Sequence, residues 1–81
     1  MDRQAEIPIR NALRLAQVEL CCDHDREALV AARYARRALL EAGPDDGNLL
    51  MAVEEAVFFL KRHDAVHARD ALDRAHTALL H

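Results

Sequence analysis

The chain has no tryptophan, one tyrosine (Tyr34) and two phenylalanines (Phe58 and Phe59) in 81 residues. A core cannot be built here around large rings, and 16 alanines stand in their place within an apolar fraction of 52%. Such a core brings helices close together but supplies little bulk, and at this length a single core is only marginally sufficient. Association with a second copy or another protein is the expected compensation.

Glycine and proline are also scarce. Both glycines (Gly43 and Gly47) and Pro44 fall in one stretch, which excludes a glycine-rich phosphate loop elsewhere and marks a single clear boundary. No run approaches about 18 consecutive apolar residues, and the opening MDRQAEIPIR lacks the apolar segment of a signal peptide. The expectation is a soluble, cytoplasmic protein with no membrane partner. Cys21 and Cys22 are adjacent, so a bridge between them would be strained; they read as reduced thiols and small hydrophobes, not nucleophiles. Lysine occurs once against ten arginines, a ratio that points to a GC-rich bacterial coding sequence. The net charge of −3 and pI of about 5.9 exclude the broad basic footprint of a nucleic-acid binder. Arg33, Arg36 and Arg37 beside Tyr34 form the one local basic cluster and read as a solvated helix face.

What the chain does have is helical periodicity. At roughly 100° per residue, Leu49, Ala52, Val53, Ala56, Val57 and Leu60 share one broad face of the stretch Asp45–Arg62. The same reasoning predicts helices over about 7–22, 26–42, 46–62 and 65–80, forming one all-α domain over residues 1–81. Ile9, Ala12, Leu13, Ala16 and Leu20 are the core face of the first; Ala28, Ala31, Ala32, Ala35, Ala38, Leu39 and Ala42 of the second. The fourth offers Ala68, Ala71, Leu72, Ala75, Ala78 and Leu79. Pro8 fits a first turn. Asp23 or Asp25 is the expected cap of the second helix, Asp45 or Asp46 of the third, and Asp64 of the fourth.

Shifting the chain by 40 residues aligns its halves: Ala12, Ala16, Leu20, Ala28, Ala31, Ala35, Ala38, Leu39 and Leu40 meet identical residues at 52, 56, 60, 68, 71, 75, 78, 79 and 80. Two stacked helical hairpins follow from this repeat. The alternative is one hairpin of two long helices, about 8–42 and 46–80, pairing with a second copy as a four-helix bundle. It stays open because no glycine or proline breaks residues 23–25 or 63–64.

Ala31, Ala35 and Ala38-Leu39 before Pro44, with His63-Asp64 and then Ala68, Leu72 and Ala75, resemble a tetratricopeptide-type helical hairpin over much of the chain. The resemblance implies a scaffold that binds peptides or proteins.

Some residues lie outside the core pattern. Leu15, Val18 and Cys22 form a second apolar arc on the first helix. Met51 and Phe58 stand among charges on the third, seven residues apart and so in line. This second stripe needs a cover, from a helix of the same chain or from a partner. Three chemical readings compete. The favoured one is a small interaction module, an adaptor, chaperone-like or inhibitory subunit without enzymatic activity, cofactor or bound metal. It would take a partner helix, from another protein or a second copy, on Leu15, Val18, Cys22, Met51 and Phe58, with Arg14, Glu55 and Arg62 setting register at the rim. Each large side chain so buried would contribute roughly 1.5–3 kcal/mol.

The second reading rests on Arg62-His63-Asp64-Ala65-Val66-His67. This is similar to the RNase motif of the HEPN helical nucleases, where arginine and histidine act together on the scissile phosphate. The resemblance implies Arg62 as charge stabiliser and His67 as acid–base group. The third takes His63 and His67, four apart, with Asp70 one turn on, as metal-ligand spacing on a continuous helix.

Overall fold

The computed structural model describes residues 2–43 and 47–80, all of them helical or in short turns. Four helices follow in order: α1 (Arg3–Cys21), α2 (Asp25–Ala42), α3 (Gly47–Lys61) and α4 (Ala65–Leu80). The chain therefore breaks at both points that lack glycine and proline, giving two hairpins in place of two long helices. α1 packs on α2 and α4, and α3 packs on α2 and α4, so the four helices close a ring around one core. None of them is long and apolar enough to cross a membrane. The body measures 32 × 18 × 18 Å.

Each break is made by a non-glycine residue in the left-handed region, Asp23 (φ 62°) and His63 (φ 58°). The hydrogen bonds are those of a Schellman turn. The Asp23 and His24 N–H groups donate to the carbonyls of Leu20 (3.1 Å) and Glu19 (2.8 Å). Forty residues on, His63 and Asp64 donate to Leu60 (3.1 Å) and Phe59 (3.0 Å). The orphan carbonyls at the ends of α1 and α3 are thus satisfied without a breaker. The two turns lie at the same end of the bundle, where His63 Nδ1 stands 3.6 Å from Asp25.

The helix starts differ more. Asp2 caps α1 by accepting from the Ala5 N–H at 2.9 Å, so this helix opens at Arg3, a turn before Ile7, with Pro8 inside it. Asp64 caps α4, its Oδ1 accepting from the His67 N–H at 3.1 Å. Neither Asp23 nor Asp25 caps α2. The cap position is His24, which makes no side-chain cap bond, because Asp23 is taken up by the left-handed turn and Asp25 is already helical. Asp45 and Asp46 lie outside the described residues. Gly43 ends α2 at φ 71°, a conformation that favours glycine.

The repeat holds in three dimensions. Ile9, Ala12, Leu13, Ala16, Leu20, Ala28, Ala31, Ala32, Ala35 and Leu39 are buried, and so is every residue 40 positions later. Val57 is the one further buried residue of the second half. A rotation that exchanges α1 with α3 and α2 with α4 therefore preserves both the core and the packing order. The hairpins are related by a pseudo-twofold axis along the bundle.

Candidate functional site

With the cores equivalent, what distinguishes the hairpins is their outer surface. Between α1 and α2 runs a groove of about 700 Å³, whose lining includes Pro8, Leu15, Glu19, Glu27, Val30 and Tyr34. Leu15, Val30 and Tyr34 are 53%, 62% and 56% exposed. A second hollow of about 640 Å³ continues along α2 from Val30 and Tyr34 to Arg33, Arg37 and Leu40. Half-exposed apolar side chains sit together here because α2 meets the core with four alanines and Leu39, leaving Val30, Tyr34 and Leu40 to the outside.

The counterparts of Leu15, Val30 and Tyr34 in the second hairpin are Glu55, Asp70 and Arg74. There the guanidinium of Arg74 reaches Glu55 across the helix pair at 2.6 Å and Asp70 along α4 at 3.0 Å. These two carboxylates hold the Arg74 pKa above its ordinary value, the Glu55 hydrogen bond foremost. At Glu19 and Glu27 the second hairpin has Phe59 and His67, whose rings stack with centroids 5.0 Å apart. One hairpin thus bridges its helices with charge and stacked rings; the other leaves an apolar groove with an acidic end.

The stripe read from the sequence divides in two. Leu15, Val18, Cys22 and Arg14 belong to α1 or its end, while Met51, Phe58, Glu55 and Arg62 belong to α3 or its end. These helices stand diagonally across the bundle, so one partner helix cannot cover both groups. Within α1, Leu15 faces the groove, and Arg14, Val18 and Cys22 line a separate hollow with Cys21. Both thiols are exposed and free, at the end of a helix and not in the core. Met51 and Phe58 are 60% and 48% exposed, so no helix of the same chain covers them. The Phe58 ring meets Phe59 edge-on at 5.3 Å, and the Arg62 guanidinium lies over it at 4.3 Å. Arg62 therefore shields an aromatic face, and Glu55 is committed to Arg74.

The chemical alternatives find their residues engaged elsewhere. His63 sits in the left-handed turn and not on a continuous helix with His67, which removes the four-residue spacing a metal would need. His67 Nδ1 is 2.8 Å from Asp64 Oδ2. The His67 N–H, first, and then its ring hold the Asp64 carboxyl below its ordinary pKa. Among the described residues, the side chains close enough to share a cation are instead Glu19, His24 and Glu27 at the end of the groove.

Sequence reasoning passed over Val30 and Tyr34. They are embedded among Arg26, Arg33 and Arg37, and the face was read from the arginines. The signal was present in the 40-residue comparison, where three apolar residues of one half meet three charged residues of the other.

The four helices form a closed bundle of two helical hairpins, with an apolar groove on the outer face of the first. No protein-family model, curated protein or solved structure compared with this chain matches it.

Proposed function

We propose that the protein is a small protein–protein interaction module that receives a helix on the outer face of its first hairpin. Leu15, Val30 and Tyr34 would form the apolar floor, with Glu19, Glu27, Arg26 and Arg37 as the charged rim. The observation that carries this reading is the difference between equivalent positions. Where the second hairpin closes its surface with Glu55, Arg74 and Asp70, the first exposes three large apolar side chains at one place. Apolar side chains standing singly on a surface need no explanation, but a contiguous group beside a groove marks an interaction site. The resemblance to tetratricopeptide-type hairpins supports the same class of function. The Met51–Phe58 patch on α3 is a separate surface, partly covered by Arg62.

The test is site-specific photo-crosslinking in cells that produce the protein. A benzophenone side chain at position 30, in the groove, is compared with one at Val66, equally apolar and fully accessible on the second hairpin. Discrete adducts from position 30 and none from position 66 are expected. Equal yields from both positions would remove the groove's claim.

A further inference from the structure

Along the solvent side of α2, Glu27, Val30, Tyr34, Arg37 and Glu41 recur at alternating steps of three and four residues, and every one of them is exposed. This is the spacing of a seam between two paired helices. The bundle's own core does not account for it, since α2 meets that core with Ala28, Ala31, Ala32, Ala35 and Leu39. The seam is also its own complement. Val30 and Tyr34 lie two residues to either side of Ala32, and Glu27 and Arg37 lie five to either side.

We infer that the helix received on this face is α2 of a second copy, packed antiparallel about a twofold axis level with Ala32. The inference rests on the docking reading above and names its occupant. In this arrangement Val30 of each copy meets Tyr34 of the other, and Glu27 of each meets Arg37 of the other. Among the described residues neither Glu27 nor Arg37 forms an ion pair within its own chain, so both are available across such an interface. Leu15 and Leu40, each about half exposed, flank the central pairs. Only the ends set like charges level, Glu41 against Asp23, where both face solvent and are screened. The contact is isologous, so it closes as a dimer and does not propagate. A partner of different sequence would have no reason to match a stripe whose charges, Glu27 and Arg37, are opposite at equal distances on either side of Ala32.

Charge exchange tests this directly, because all the positions are exposed and the fold does not depend on them. Solution mass by multi-angle light scattering over a concentration series is measured for wild type, Glu27→Arg, Arg37→Glu and the double variant, with circular dichroism to confirm equal helicity. A wild-type dimer is expected, weakened about tenfold or more by either single reversal, which sets like charges face to face twice, and regained in the double variant. A double variant no better than the singles, a dimer indifferent to all three changes, or a monomer throughout would each overturn the self-pairing. The crosslink at position 30 separates this from failure of the docking reading. An adduct of twice the chain mass agrees with the self-pairing; an adduct with a different protein overturns it while the groove keeps its role.

Discussion

Tyr34 and Arg74 occupy equivalent positions in the two hairpins, one lining an open groove beside Leu15, the other tying Glu55 and Asp70 together. Both stand on α-helical backbone, so the difference is one of side chains. Grafting the second hairpin's set onto the first, as Leu15→Glu, Val30→Asp and Tyr34→Arg together, should therefore leave helicity and thermal midpoint close to wild type. Position-30 crosslinks cannot be read in this variant, so the check is the dimer or complex mass, which should be lost. Retention of full association would show that the groove is not the docking face.

Phe58→Asp separates surface from core. Phe58 is half-exposed and its loss removes a cation–π contact with Arg62, an effect of about 1 kcal/mol or less at such a site. Leu72→Ala, at a fully buried position, should cost about 2–5 kcal/mol, enough to unfold much of so small a domain. Chemical denaturation of the two variants side by side checks the contrast; comparable losses would mean that Phe58 is part of the core.

Asp23 and His63 hold left-handed conformations that glycine adopts without strain. Asp23→Gly and His63→Gly should each stabilise the protein, by up to about 1 kcal/mol, since no hydrogen bond of either Schellman turn uses the side chain. Gly43→Ala should cost a similar amount. A methyl at Gly43 meets nothing within 4 Å, so the cost there is purely conformational. Thermal or urea melts give the sign of each change.

The two inner helix starts make a matched pair. Asp64 caps α4, whereas His24, its counterpart, caps nothing. Asp64→Ala should lower stability, and His24→Asn should raise it by supplying the missing acceptor without a charge beside Glu19. The Asp64 carboxyl has a lower pKa folded than unfolded, so the unfolded chain holds the proton more tightly. Its contribution is complete above the ordinary carboxylate value of 3.8 and is lost as pH falls below it. Acid titration of unfolding free energy for wild type and Asp64→Asn should show the smaller decline in the variant, which keeps an acceptor that does not titrate.

His63→Ala should leave the effect of zinc on the melting temperature unchanged if His63, His67 and Asp70 are as separated in solution as in the fold. A rise abolished by His63→Ala would restore the third chemical reading.

The core was legible because it depends on one variable, angular phase. Every apolar residue assigned inward on α1 and α3 is buried, and on α2 and α4 only Ala38, Ala42 and Ala78 are less than fully so. The turns were not, because sequence marks left-handed residues by glycine, and here aspartate and histidine take that role with the hydrogen bonds made by backbone alone. Helix α1 began early for a similar reason: Asp2 supplies a cap that the position of Pro8 obscured. Leu15, Val18, Met51 and Phe58 were legible as a second apolar stripe outside the core pattern, and the fold leaves all four about half exposed, but phase on single helices carries no information about which helices become neighbours. Placing α1 and α3 on opposite corners required the ring.

That ring has a bearing on chain order. Both Schellman turns lie at one end of the bundle, so the end of α2 with the start of α3, and the start of α1 with the end of α4, share the other. Under the pseudo-twofold these two places are interchangeable. A permuted gene that opens the chain between Gly43 and Gly47 and joins Leu80 to Asp2 through a short linker would encode the same four helices in the order α3, α4, α1, α2. The groove would then be carried by the hairpin made last and not first, which makes the order of synthesis an adjustable property of this protein, separate from its shape.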